Sequence, residues 1–189
     1  MYDVIKVRYA MMFLLLAIIY LSGIPLRAGE RLERFEKDGK WGCKDEKGHV
    51  VIPPEFRIDG EVIRCEFSPE GVALMADKKG LIYVDRQGKR LFRPFIFDNW
   101  VDDFREGLAR FVQNGKIGFY DRHYRIVIEA RFDFVEPFHH GQARFCVGCK
   151  PVKLGEHYLM EGGKWGYIDR KGRVVVKPRN SRRSEERKR

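Results

Sequence analysis

No glycine-rich loop stands ahead of a helix-forming stretch in this chain, and no serine sits in a nucleophile-elbow motif. Phosphate cradling and triad hydrolysis therefore have no basis in the sequence. The strand-helix-strand pattern that would place a reactive thiol at a helix start is missing too. Cysteine is scarce, at four in 189 residues, and no second close pair joins Cys146 and Cys149 to complete a zinc-finger spacing. Charge of a single sign is absent from the body. Of the formal net charge of +10, +5 falls in residues 177–189 and +2 in residues 1–28, which leaves +3 in a stretch where acids and bases intermingle. That is an ordinary solvated surface, and a length of this order allows one compact domain.

What is present begins with an apolar amino terminus. Lys6 and Arg8 precede an uncharged run over residues 9–26. This order reads as an export segment, either a signal peptide with Ala28 before the cut or an uncleaved membrane anchor. The chain accordingly divides into residues 1–28 as signal peptide or anchor, 29–178 as the folded domain and 179–189 as a basic tail. The tail is wholly polar and expected to be disordered. Export would place the body in the periplasm or outside the cell, or hold it at the inner membrane. In such an oxidising compartment an even cysteine count reads as disulfides, and two local bonds are the simplest of three pairings: Cys43 with Cys65 and Cys146 with Cys149.

The main signal is internal repetition. Leu32-Glu33-Arg34-Phe35-Glu36-Lys37-Asp38-Gly39-Lys40-Trp41-Gly42 lies without a gap over Leu108-Ala109-Arg110-Phe111-Val112-Gln113-Asn114-Gly115-Lys116-Ile117-Gly118. Four copies are predicted, over residues 30–56, 67–103, 104–137 and 138–178. Each reads as three antiparallel strands, which makes the domain all-β. Asp38-Gly39, Asn114-Gly115 and Gly162-Gly163 supply the first turn, where positive φ is needed. The second turn opens with aspartate and closes with glycine, as in Asp45 to Gly48, Asp85 to Gly88 and Asp169 to Gly172. Asp121 opens the corresponding turn of the third copy, but Tyr124 stands where glycine is expected, which predicts another turn type there. A third strand rich in β-branched residues follows, and a proline is expected to end it at Pro53, Pro94 and Pro178. The second copy is the most degenerate, with Leu81-Ile82 in place of the Trp-Gly pair.

Gly39-Lys40-Trp41-Gly42 and Gly163-Lys164-Trp165-Gly166-Tyr167-Ile168-Asp169, with Gly115-Lys116-Ile117-Gly118 between them, resemble the signature of the WG-repeat family, also called the KWG repeat. The likeness covers roughly residues 30–178. It implies a bacterial, exported, non-catalytic β-rich module. On a strand, tryptophan and glycine point to opposite faces, so Trp41 and Trp165 are expected as core rings while the glycine leaves room for a neighbouring aromatic. One three-stranded unit cannot cover its own apolar face, so the copies must pack on one another, in an open twisted stack or a propeller-like ring.

The last copy carries about fourteen additional residues, read as a long hairpin loop that includes Cys146-Val147-Gly148-Cys149 and His157, with His139 and His140 upstream. A disulfide pinning this loop is favoured over a zinc site or a redox pair. Asp45, Asp85, Asp121 and Asp169 are each explained as turn openers, so no pair of them is assigned as general acid and base. The reading is a binding or scaffolding module with no catalytic residue, metal or cofactor, whose partner is a protein or a cell-envelope ligand. The alternatives are a nucleic-acid or anionic-polymer binder acting through the basic tail, and a thiol-disulfide oxidoreductase using Cys146 and Cys149.

Overall fold

Four aspartates organise the chain. The backbone carbonyls of Asp45, Asp85, Asp121 and Asp169 accept hydrogen bonds from the amides of Gly48, Gly88, Tyr124 and Gly172, at 2.8–3.0 Å. In each case one carboxylate oxygen also accepts from the amides two and four residues on, as Asp169 does from Lys171 and Arg173 at 2.9 Å each. A short acceptor that satisfies two backbone donors locally is the reason aspartate opens such turns. The third turn is no exception, contrary to expectation. Tyr124 adopts φ +58°, and its ring packs edge-on against Tyr83 at 5.0 Å and stacks with Tyr120 at 6.2 Å. Buried ring contact offsets the left-handed strain that glycine would have avoided.

The computed structural model describes residues 31–56, 65–155 and 157–180. The apolar segment of residues 1–28 and the tail beyond Asn180 lie outside these described residues. Among them every regular element is a strand. The first unit holds β1 (Glu33–Lys37), β2 (Lys40–Lys44) and β3 (Val50–Phe56) in that order. The second holds β4 (Val72–Asp77) and β5 (Gly80–Asp85). Its third strand is reduced to hydrogen bonds between Tyr83 and residues 91 and 92 and a bridge from Val84 to Arg90. The chain then makes β6 (Arg93–Pro94), followed by a small hairpin of β7 (Ile96–Phe97) and β8 (Trp100–Val101). The third unit consists of β9 (Leu108–Gln113), β10 (Lys116–Asp121) and β11 (Ile126–Phe132), and is followed by β12 (Phe134–Val135). The fourth consists of β13 (Gln142–Leu154), β14 (His157–Asp169) and β15 (Val174–Asn180).

The short strands carry the architecture. β6 leaves the second unit and pairs antiparallel with β9 of the third, giving the order β11-β10-β9-β6. β12 leaves the third and pairs with β13 of the fourth, giving β12-β13-β14-β15. The second and third units therefore each lend an edge strand to the unit that follows. Two apolar clusters fill the seams. Tyr83, Phe92, Phe111 and Tyr120 join the second unit to the third, while Phe119, Ile128, Phe132, Phe138 and Phe145 join the third to the fourth. Ring centroids stand 4.8–5.8 Å apart in the first cluster's Tyr83–Phe92, Tyr83–Tyr120 and Phe92–Tyr120 pairs. These are tilted or edge-on contacts, which ring quadrupoles favour.

The glycine of each Trp-Gly pair has a specific neighbour. The pairing of β2 with β3, β10 with β11 and β14 with β15 slips between Trp41 and Cys43, Ile117 and Phe119, and Trp165 and Tyr167. The third strand bulges there, directly over the intervening glycine. A Cβ on Gly42, Gly118 or Gly166 would stand 2.4, 2.4 or 2.5 Å from the carbonyl oxygen of Ile52, Ile128 or Val176. A first-strand ring also approaches, Phe111 at 2.6 Å over Gly118 and Phe145 at 3.0 Å over Gly166. The expected aromatic cover is thus real, but the tightest contact is backbone. In the second unit Ile82 replaces the glycine, and the third strand stops short of it.

Two expectations fail at the strand ends. Pro53 and Pro178 lie inside β3 and β15 instead of terminating them, and β15 continues through Arg179 to Asn180, into the segment assigned to the tail. Both are outer strands of their sheets, where a missing N–H leaves no ladder partner unsatisfied. Trp41 and Trp165 are half-buried, not core rings. The guanidinium of Arg34 lies 5.3 Å from the Trp41 ring and that of Arg144 lies 4.0 Å from the Trp165 ring. The deep core is carried instead by Ile52, Phe56, Phe111, Phe119, Tyr120 and Ile168.

Cys43 is bonded to Cys65 across 22 residues, and Cys146 to Cys149 across three. By chain entropy, the first closes a loop worth about 3 kcal/mol and the second about half that. Replacing Cys43 and Cys65 together by serine should therefore lower unfolding stability about twice as much as the same change at Cys146 and Cys149. Urea denaturation of both double variants checks the ratio.

Candidate binding surface: the hairpin arm

The pairing of β13 with β14 runs without slippage from Gln142↔Asp169 to Leu154↔His157. Val147↔Lys164 occupies the position that Gln113↔Lys116 holds in the third unit, so residues 148–163 stand where Asn114-Gly115 alone suffices there. The added residues are hydrogen-bonded strand, not loop, and they project as a two-stranded arm. Gly155, at φ +63°, lies in the turn that follows β13. Gly162 and Gly163, expected to form that turn, instead sit inside β14 with φ +71° and +64°. The reason is close approach. A Cβ on Gly163 would lie 2.4 Å from the Cys149 amide nitrogen and 2.8 Å from the Cys146 sulfur.

The arm is fastened at its root. Asp133 accepts a hydrogen bond from the Lys116 Nζ at 2.5 Å and another from the Gly148 amide at 2.6 Å, tying the third unit to the arm. The Lys116 bond, then the Gly148 amide, hold the Asp133 carboxyl below the ordinary aspartate range against the opposing effect of burial. On the other strand, the Trp165 indole donates to the Gly162 carbonyl at 2.9 Å, and its ring meets Phe134 of the lent strand edge-on at 6.3 Å. Beyond the root, Val152, Leu154, Tyr158 and Leu159 are all exposed on the arm. A groove of about 720 Å³ opens at its base between the third and fourth units, lined by Val127, Glu129, Arg131, Val147, Lys171 and Val174 among others.

The other sequence-derived candidates do not gather into a site. Asp45, Asp85, Asp121 and Asp169 each serve their own turn. Burial pushes the Asp121 and Asp169 carboxyls up, but hydrogen bonds from Arg125 and Arg173 outweigh it and leave both titrating below the usual value. His139 and His140 face each other edge-on, with centroids 3.9 Å apart. No group of three or more His, Cys, Asp or Glu that could hold a metal occurs among the described residues. Cys146 and Cys149 are buried as a disulfide within β13, away from any helix start, and their surroundings give an oxidoreductase role no support. Sequence reasoning missed the Asp133 clasp, whose partners lie 15 and 17 residues away with no shared motif. It also missed a buried pair, Asp102 with Arg110, at 2.7 and 2.8 Å.

A family model described as a WG containing repeat matches residues 41–57, 83–116, 117–149 and 165–179, a little over half of the chain. No curated protein and no solved structure matches it.

Proposed function

The chain belongs to the WG-repeat family, and from that premise we propose that it is an exported, non-catalytic binding module of the cell envelope whose arm grips a protein partner. The observation that carries this reading is the arm itself. Two strands extended beyond the length the fold needs expose Leu154 and Tyr158, at 63% and 65%, to solvent on a support pinned by a disulfide and the Asp133 clasp. Fixed aromatic and aliphatic side chains at the end of a rigid support suit partner recognition, because little ordering entropy remains to be lost on contact. Lys150 and Lys153 on the same strand favour a partner with an acidic rim. Two disulfides and the apolar run of residues 9–26 support residence outside the cytoplasm.

The test uses the full chain in two forms. In one, residues 148–163 are replaced by Asn-Gly and Cys146 by valine, which restores the hairpin of the third unit. Far-UV circular dichroism should retain the β signature, and the protein partner recovered by the intact chain from envelope extract should be lost. An unchanged partner set removes the arm from the reading. A carboxy-terminal fusion to a reporter enzyme that works only outside the cytoplasm should be active, and an inactive fusion overturns the assignment to the envelope.

A further inference from the structure

The units stack by one repeated contact, and the two ends of the array each hold half of it. The glycine that closes the second turn of one unit rests on an apolar side chain of the third strand of the unit before. A Cβ built on Gly88 would stand 3.3 Å from Ile52, and one on Gly172 would stand 3.0 Å from Ile128. Tyr124 fills the same place against the cluster holding Phe92. Ile52, Phe92 and Ile128 each follow their turn aspartate by seven residues, and they are 0%, 7% and 3% exposed. The fourth unit places Val176 at that position, and it is 44% exposed. Tyr167, two residues before its aspartate, is 39% exposed, whereas Cys43, Tyr83 and Phe119 in the same position are buried.

The opposite half is found at the other end. Gly48 closes the second turn of the first unit, and a Cβ there would meet nothing within 4 Å among the described residues. The match extends to a polar contact. Arg131, ten residues after Asp121, donates from its guanidinium to the Gly172 carbonyl; Arg179 stands ten residues after Asp169 and is exposed. The outer edge of β1 is likewise unpaired among the described residues, where β9 and β13 receive β6 and β12.

We infer that the occupant of each end is the other end of a second copy: Val176 and Arg179 of one molecule receive the Gly48 turn of the next. The argument is continuity: an apolar side chain seven residues after the turn aspartate already forms each seam inside the chain, and the arginine ten residues after it adds to the seam between the third and fourth units. The contact joins unlike surfaces, so association is head-to-tail and does not stop at a symmetric pair. It involves neither the arm nor its partner.

Sedimentation velocity of the full chain, in a non-ionic detergent that separates apolar amino termini, tests this. The wild-type chain should show species above monomer that grow with concentration. Val176→Glu blocks one end and Gly48→Asn the other; asparagine tolerates the left-handed backbone at Gly48, φ +84°. Each variant alone should lose every species above monomer while its melting temperature stays unchanged. Mixed in equal amounts, the two retain one competent end each and should form a dimer and nothing larger. Arg179→Glu serves as a second block of the Val176 end. A monomeric wild type, assembly by either variant alone, or a mixture that stays monomeric overturns the inference. A chain closed on itself as a ring would appear as a monomeric wild type whose variants melt earlier, which also overturns it.

Discussion

Asp102→Ala should cost the body about 3–5 kcal/mol of unfolding stability, a fall of roughly 10 °C in melting temperature for a domain of this size. Asp102 is 7% exposed and Arg110 is 2% exposed. The carboxylate accepts from Arg110 Nε at 2.8 Å, from Nη2 at 2.7 Å and from the Arg110 amide at 3.1 Å. Nη1 is taken by the Val135 carbonyl at 3.0 Å, on the strand lent to the next unit, and the guanidinium lies 4.2 Å from the Phe95 ring. Removing the carboxylate leaves a guanidinium buried with no counter-charge, and that residual charge accounts for most of the loss. Asp102→Asn keeps one acceptor and should lose less. Combining Asp102→Ala with Arg110→Met should recover much of the deficit, because an apolar pair needs no partner. Guanidinium chloride denaturation of the four proteins gives the comparison. If the double variant proves as weak as Asp102→Ala, the loss comes from packing rather than from stranded charge.

Gly118→Ala is the second large effect, with an expected cost at or above the upper end of the roughly 1–3 kcal/mol range for overpacked cores. Gly118 is buried, and its φ is not positive, so the objection to alanine is purely steric. The added methyl group would stand 2.4 Å from the Ile128 carbonyl oxygen and 2.7 Å from the Ala130 amide nitrogen, both backbone atoms of a bulged strand. Neither can move by rotating a side chain. Gly115→Ala, three residues away, is the control. It sits in the turn at φ +72° with nothing within 4 Å of the Cβ position among the described residues, so only backbone strain of about 1 kcal/mol opposes it. Equal effects at the two positions would show that backbone conformation, and not the pressing strand, selects glycine in the Trp-Gly pair.

Much of this was legible in the residues, because turns and strand periodicity are local. Asp45 and Gly48 lie three residues apart, and the hydrogen bond that joins them needs nothing else from the chain. The repeat exposed the unit boundaries for the same reason. Tyr124 defeated the same local rule, since what compensates its backbone is a ring 41 positions earlier, Tyr83. Pro53 and Pro178 were misread because a proline's tolerance depends on whether its strand has an outer neighbour, a property of the sheet and not of the segment. Gly162-Gly163 looked like a turn because no local signal distinguishes it from glycine pressed against a disulfide. The alternation of tryptophan and glycine along a strand points Trp41 and Trp165 to a packed face, yet that face is covered by the guanidinium groups of Arg34 and Arg144. Asp102 with Arg110 offered no warning, because a carboxylate eight residues from an arginine is ordinary in a chain rich in both.

The lent strands β6 and β12 separate the segment that recurs in the sequence from the sheet that it builds. The stretches 83–116 and 117–149 each begin within a unit's second strand; the first ends just past the first strand of the next unit and the second ends within it. Such a segment straddles two sheets and carries both sides of the seam between them. Duplication or loss of one whole segment during evolution would rejoin like with like, so the array could change length without exposing interior surface at the splice.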